Sequence, residues 1–276
     1  MIKLLAIDLD DTCLNWNNKI MPSTMQALKK AAERKVEIVF VTGRSYDCLP
    51  YQLTKESFFR YVIASNGACV VDRKTGEVIR HSYIPLSDAL PLLKLAKKQR
   101  LGITVHLDKQ HLVEGRRLLL LGKFLYGKDS KKIIYVKDMI DHVARYGDKI
   151  EEIHLFFFQE KKRQSISVMR DMYPSLNAPM NHFCMEFVTV STTKGNALEW
   201  LYQRLGMDWT EIACIGDGEN DISMFQKAGL RFAVDNALPY LKALSHFVVP
   251  CNDKNGVGVA IEMILQTANK EGGFVL

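Results

Sequence analysis

The sequence predicts an α/β fold: a core built on a parallel sheet from both ends of the chain, with an α+β domain inserted between them. Three observations predict it. Short apolar runs that end in polar residues alternate with helical stretches over the first third of the chain. The same rhythm returns after Val190. Between the two, from about Pro85 to Glu186, the order of elements is mixed. The limits read this way are 1–83 and 188–276 for the core and 84–187 for the insert.

Each element has its own signal. Leu4 to Leu9 is a short apolar run ended by acids, the pattern of a strand buried on both faces. Pro22-Ser23 opens a helix to Arg34 with Met25, Leu28 and Ala32 at helical spacing. Val36 to Val41 is a second buried strand, followed by Thr42-Gly43-Arg44 and a helix expected from Ser45 toward Leu53. Tyr61 to Ala64 is a third strand ending at Ser65-Asn66-Gly67. Ala68 to Asp72 and Glu77 to Tyr83 flank a Lys74-Thr75-Gly76 turn and read as a hairpin. In the insert, helices are expected over 85–100, 116–126, 137–146 and 161–173, and strands over 102–107, 110–114, 150–159 and 183–188. The returning core gives a helix from Lys194, a strand ending in Gly216-Asp217-Gly218, a helix from Asp221, a strand at Leu230 to Val234, a helix from Pro239, a strand at His246 to Val249 and a closing helix from Gly258.

Composition sets the class. The chain has 276 residues, 47% hydrophobic and 25% charged, the balance of a globular protein with a sizeable core. Net charge is +6, from 37 basic and 31 acidic residues, a mild bias toward anionic ligands. The basic residues are scattered, and the one dense patch, Lys123, Lys128, Lys131 and Lys132, reads as a solvated face, so no nucleic-acid partner is expected. Six cysteines include no Cys-x-x-Cys pair, and Cys13, Cys69 and Cys214 lie in apolar surroundings. No apolar run approaches the ~20 residues of a membrane span, and the apolar start meets Asp8 too soon for a signal peptide. The expected setting is cytoplasmic and reducing. Oligomeric state is not legible. His106, His111, His154 and His182 read as core or surface histidines of the insert, and Phe156-Phe157-Phe158 as a buried strand.

The chemistry sits at strand ends, where open parallel sheets bind ligands. Asp8-Leu9-Asp10-Asp11-Thr12, Thr42-Gly43-Arg44, Ser65-Asn66-Gly67 and Gly216-Asp217-Gly218-Glu219-Asn220-Asp221 each follow an expected strand, and Thr193-Lys194-Gly195 opens a helix. If these converge, several carboxylates repel one another and raise each other's pKa. A divalent cation resolves that, and oxygen donors without His or Cys favour Mg²⁺. Lys194 and the small donors then suit a phosphate. Asp8 and Asp10 are two apart, so in extended backbone both point to one side. One carboxylate can attack phosphorus while the other moves the proton.

These residues resemble the four motifs of the haloacid dehalogenase superfamily: Asp8-Leu9-Asp10-Asp11-Thr12, Thr42, Lys194, and Gly216 through Asp221. Asn66-Gly67-Ala68, Lys194-Gly195-Asn196-Ala197-Leu198, Asn220-Asp221-Ile222-Ser223-Met224 and Asn255-Gly256-Val257 resemble its Cof-like phosphatase branch. The resemblance implies a Rossmann-like core with a large α+β cap of type IIB between the second and third motifs. It implies a Mg²⁺-dependent phosphoric monoester hydrolase acting on small phosphorylated metabolites, sugar phosphates first among them, through an aspartyl phosphate. It assigns Asp8 as nucleophile and metal ligand, and Asp10 as general acid/base that ligates through its backbone carbonyl. Asp217 is implied as the third protein ligand, supported by Asp221. Leu9, Thr42, Gly43, Lys194 and Asn220 are implied phosphate contacts, with Arg44 and Asn66 near the substrate. The family usually has Gly at the position of Asp11, and Met-Gly where this chain has Val234-Asp235. The alternatives are a phosphosugar mutase of the same superfamily and a non-catalytic phosphate-binding regulator; Asp10 argues against the second, because without an acid there an aspartyl phosphate persists.

Overall fold

The structure, a computed structural model, describes residues 1–157, 168–180 and 183–267. Its strands are β1 (Leu4–Asp8), β2 (Glu37–Val41), β3 (Tyr61–Ala64), β4 (Cys69–Asp72), β5 (Glu77–His81), β6 (Gly102–Leu107), β7 (Gln110–Glu114), β8 (Ile133–Val136), β9 (Ile150–Phe156), β10 (Leu176–Asn177), β11 (Cys184–Thr189), β12 (Ile212–Gly216), β13 (Leu230–Val234) and β14 (Phe247–Val249). They form two sheets, ordered β14-β13-β12-β1-β2-β3-β4-β5 and β10-β11-β9-β6-β7-β8. The chain divides into two compact units: Met1–Gly43, Pro50–Ile79 and Thr193 onward form the first, Arg44–Leu49 and Arg80–Thr192 the second. The expected insert, 84–187, falls inside the second unit, which also takes in Arg44–Leu49.

In the first unit β1 is central. It pairs in parallel with β2 on one side and β12 on the other, and every one of its residues is buried. That is why its sequence is apolar without alternation. Asp8 pairs with Val41, and Ile7 with Ile215, so the carboxyl ends of β1, β2 and β12 align. Because β2 and β12 flank β1 on opposite sides, the sheet order reverses here, where open α/β sheets bind ligands. The β3–β4 pair is antiparallel.

The helix Pro22–Glu33 begins at the expected proline and buries Thr24, Ala27, Leu28 and Ala31. The buried stripe is thus turned from the expected Met25, Leu28 and Ala32. The helix expected over 45–53 is broken instead: a turn spans Tyr46–Cys48 and a short helix Tyr51–Thr54. Pro50 is the cause, since it offers no N–H and drives the preceding residue out of the helical region; Leu49 is extended at ψ 148°.

The second unit buries Ile103, Val105 and Leu107 of β6 and Ile153 and Leu155 of β9 against Ala89, Leu92, Leu93 and Ala96 of the helix Leu86–Lys98. Alternate strand residues therefore face that helix and the others face away. Strand β8, unexpected from the sequence, joins β7 in parallel at the sheet edge. Asp138 caps the helix Met139–Tyr146 by accepting from Ile140 and Asp141 N–H groups, so that helix starts two residues after the expected Lys137. Of the helix expected over 161–173, residues 168–171 are helical. The remainder of its N-terminal half, with Phe158, Lys161-Lys162-Arg163 and His182, lies outside the described residues. All six cysteines are free, and five of them are buried. Among the described residues no helix is long and apolar enough to cross a membrane.

Candidate active site

Asp8 ends β1 with its side chain 6% exposed. Lys194 starts the helix Lys194–Arg204, which Thr193 caps by accepting from the Asn196 N–H. A lysine in a helix's first turn opposes the helix dipole. Two carboxylates outweigh that: Lys194 Nζ donates to Asp8 Oδ1 at 2.5 Å and to Asp221 Oδ1 at 2.7 Å, in a fully buried group. Burial alone lowers an ammonium's pKa, but Asp221 and Asp8 outweigh it and hold Lys194 above its ordinary value.

Asp221 has a second task. Its Oδ2 accepts from the backbone N–H groups of Asp217 at 2.9 Å and Gly218 at 3.1 Å. It thereby fixes the turn after β12 that presents Asp217. Thr12 donates to Asp217 Oδ1 at 2.7 Å, tying that carboxylate to the turn after β1. Carboxylate oxygens of Asp8, Asp217 and Asp221 lie within 4.8 Å of one another. Burial pushes Asp217 up to about 7, with Asp221 adding to the shift. Burial likewise holds Asp8 well above the usual carboxylate range; Lys194 opposes this, and Asp221 and Asp217 reinforce it. The donors are hard carboxylate oxygens, and a divalent cation among them offsets their repulsion, so the set fits Mg²⁺.

The remaining expected residues fall as follows. Leu9 is fully buried directly after Asp8. Asp10 is half-buried and extended (φ −72°, ψ 133°). Asp11 adopts a left-handed conformation (φ 56°, ψ 4°) and is exposed. That conformation explains why glycine suits this position. Asn236 Nδ2 donates to the Asp11 carbonyl at 2.7 Å, and its Oδ1 accepts from the Asn252 N–H. Thr42 is fully buried; its N–H donates to Ile63 and its carbonyl accepts from Asn66 N–H. Asn220 Nδ2 donates to Asn66 Oδ1 at 3.1 Å, and a side chain on Gly43 would meet that same Oδ1 at 3.2 Å. Asp8, Lys194, Asp217, Asp221 and Thr12 thus form one bonded cluster, and Asn66 and Asn220 a pair. Arg44 belongs to the second unit, where its Nη1 donates to buried Asp129 at 2.9 Å. Thr12 stands in the first motif next to Asp11, a signal legible in the sequence; the contact of Asn236 with Asp11 spans 225 residues and has no local signal.

The sheet reverses order at Asp8, with buried Lys194 and two further aspartates around it, an arrangement that suits a phosphoryl group. The haloacid dehalogenase-like hydrolase family matches residues 5–261, and the chain belongs to that family. It is 29% identical over 280 residues to the Streptococcus pyogenes protein M6_Spy0533, covering 94% of this chain and 97% of that one. It is 26% identical over 290 residues to the 5-amino-6-(5-phospho-D-ribitylamino)uracil phosphatase YwtE of Bacillus subtilis, covering 96% and 98%. The solved structure of the subclass IIB sugar phosphatase BT4131 superposes with a TM-score of 0.80 at 20% identity, over 95% of this chain and 98% of that one. The fold is that of subclass IIB, and the chain is a phosphatase of the haloacid dehalogenase type.

Proposed function

We propose that the protein hydrolyses phosphate monoesters of small polyhydroxylated metabolites, sugar phosphates in particular, with Mg²⁺ and through an aspartyl phosphate on Asp8. The observation that carries this reading is the buried Lys194 bridging Asp8 and Asp221 beside Asp217. A nucleophile held by an ammonium, next to a cage of carboxylate oxygens, suits an incoming dianionic phosphoryl group. The names of YwtE and BT4131, a phosphoribityl compound and a sugar, favour a polyol-borne phosphate.

Lys194 engages Oδ1 of Asp8, which leaves Oδ2 to attack phosphorus. The phosphorus–oxygen ester bond breaks, and Asp10 gives its proton to the leaving alcohol. Asp10 then takes a proton from water, whose oxygen attacks the aspartyl phosphate, releasing phosphate and restoring the Asp8 carboxylate. Asp8, the Asp10 carbonyl and Asp217 would hold Mg²⁺, with Asp221 bracing the turn that carries Asp217. Bound Mg²⁺ supplies neutralisation of the charge on the phosphoryl oxygens. Thr42, Gly43, Asn220 and the Leu9 backbone serve the phosphate, and Asn66 the ester side. Arg44 serves stability through Asp129.

The test is release of inorganic phosphate from a panel of sugar phosphates, phosphorylated polyols, nucleotides and pyridoxal phosphate, with Mg²⁺ and with EDTA. Activity is expected on sugar or polyol phosphates, lost in EDTA and restored by Mg²⁺. Asp8→Asn is expected to lose roughly 10³-fold or more in kcat while keeping its circular dichroism spectrum. Turnover retained by Asp8→Asn would exclude the covalent route, and phosphate returned to the sugar rather than released would identify a mutase.

A further inference from the structure

Three neighbouring strands of the second unit line up a second set of ligating side chains. Register places His111 of β7 opposite His106 of β6, and His106 opposite Glu152 of β9. His154 follows Glu152 by two residues, so both point to the same face, the one turned away from Ile153 and Leu155. Glu152 is fully buried and His106 is 1% exposed. The buried Glu152 carboxylate is flanked by the imidazoles of His106 and His154, and a carboxylate with two imidazoles is also a metal-ligand set.

The distances are informative. His106 Nδ1 lies 3.3 Å and His154 Nε2 3.2 Å from the same oxygen, Glu152 Oε2. Among the described residues buried His154 Nε2 makes no hydrogen bond, so the ring nitrogen and the carboxylate are close without being aligned to bond each other. Ligands of a tetrahedral Zn²⁺ with bonds of about 2.0–2.1 Å stand about 3.3–3.4 Å apart along each edge. The separations of 3.3 and 3.2 Å match such edges. The far ring nitrogens are already held: His106 Nε2 lies 3.1 Å from His111 Nδ1, and His154 Nδ1 3.2 Å from Thr104 Oγ1. Ligating histidines are oriented in this way, with the far N–H donated to a neighbour and the near lone pair left for the metal.

We propose that His106, Glu152 and His154 bind one Zn²⁺-class transition-metal ion, oriented by His111 and Thr104, and that the ion cross-links β6 and β9. Nitrogen donors separate this site from the oxygen-only cluster around Asp8, which suits a harder cation. The proposal is independent of the phosphatase reading, because it uses none of the same residues.

The test uses the full chain carrying Asp217→Asn, which disables the carboxylate cluster, stripped of metal by a chelator. Zn²⁺ binding is titrated in competition with a chromophoric chelator, and Co²⁺ is added as a spectroscopic probe. One equivalent is expected to bind, with the visible absorption of nitrogen-ligated, low-coordinate Co²⁺, and Zn²⁺ is expected to raise the melting temperature. His154→Ala is expected to weaken binding at least 100-fold, and Thr104→Val, which keeps every ligand and the strand, about 10-fold or more. Circular dichroism confirms that each variant is folded. Absence of Zn²⁺ binding in the Asp217→Asn protein, or unchanged affinity in folded His154→Ala, would overturn the site.

Discussion

At the residue scale, backbone conformation and charge decide more than residue type. Asp11 carries a positive φ of 56°, which costs an ordinary L-residue about 1–2 kcal/mol and aspartate somewhat less. Asp11→Gly is therefore expected to raise stability by up to about 1 kcal/mol. Asp11→Val is expected to lower it by about 1–2 kcal/mol, since a branched side chain tolerates this region worst. Chemical denaturation of the two variants reads both signs. A second residue links to pH. Nδ1 of His246 accepts from the Arg231 backbone N–H at 3.1 Å, and the Arg231 guanidinium lies 2.9 Å from its Nε2. Burial, and then the Arg231 charge, hold His246 below its ordinary value. The unfolded chain thus takes up this proton first, so the stabilisation is present above about pH 6.5 and is lost progressively as pH falls from there through the lower folded-state value. Between pH 7 and pH 5 the raised carboxyls of Asp217 and Asp8 contribute the opposite sign, so the His246 effect is read as a difference: on acidification His246→Asn is expected to lose less melting temperature, or gain more, than the parent chain. An identical slope in that variant would remove His246 from the account.

At the element scale, the site depends on one tight approach. The turn after β3 carries three consecutive residues with positive φ, Ser65, Asn66 and Gly67. A Cβ on Gly67 would stand 2.3 Å from the Thr193 carbonyl oxygen. Thr193 is the cap of the helix that begins with Lys194, so the turn and the helix start must meet at this glycine. Gly67→Ala is expected to cost about 2–3 kcal/mol and to displace Lys194 from Asp8. Phosphate-release assays should show at least a tenfold drop in kcat/KM together with a lower midpoint of denaturation. A drop in stability with unchanged kcat/KM would separate the turn from the site. Elsewhere, propensity was a good guide where one force dominated. The buried β1 and its neighbours read directly as apolar runs, and Pro22 marked its helix start. Reading failed where a local breaker or a partner strand decided. Pro50 split an expected helix, and β8 becomes a strand because β7 offers it a parallel edge.

At the scale of the whole molecule, the sheet joins segments that are far apart in sequence. β1 is buried between β2 and β12, and Lys194 reaches Asp8 across 186 residues. Loop closure over such separations must be offset by the burial of many apolar side chains at once. A chain ending at Thr192 keeps β1 to β11 but leaves one edge of β1 without its partner β12. It is expected to aggregate or bind a hydrophobic dye, with no cooperative unfolding of the first unit. Cooperative unfolding of the first-unit segments that remain in that truncated chain would contradict the central place of β12.

The α/β class was written in the sequence alone, because buried parallel strands leave local apolar patterns. The sequence also carried the family through the motifs around Asp8, Lys194 and Asp217. Only the tertiary structure decided which of those residues bond. It gave Thr12 to Asp217, made Asp221 the joint partner of Lys194 and the turn after β12, and paired Arg44 with Asp129. It alone brought His106, Glu152 and His154 together. Periodicity records which side of an element faces inward, whereas a contact between strands depends on register, and register is set by the packing of segments distant in sequence.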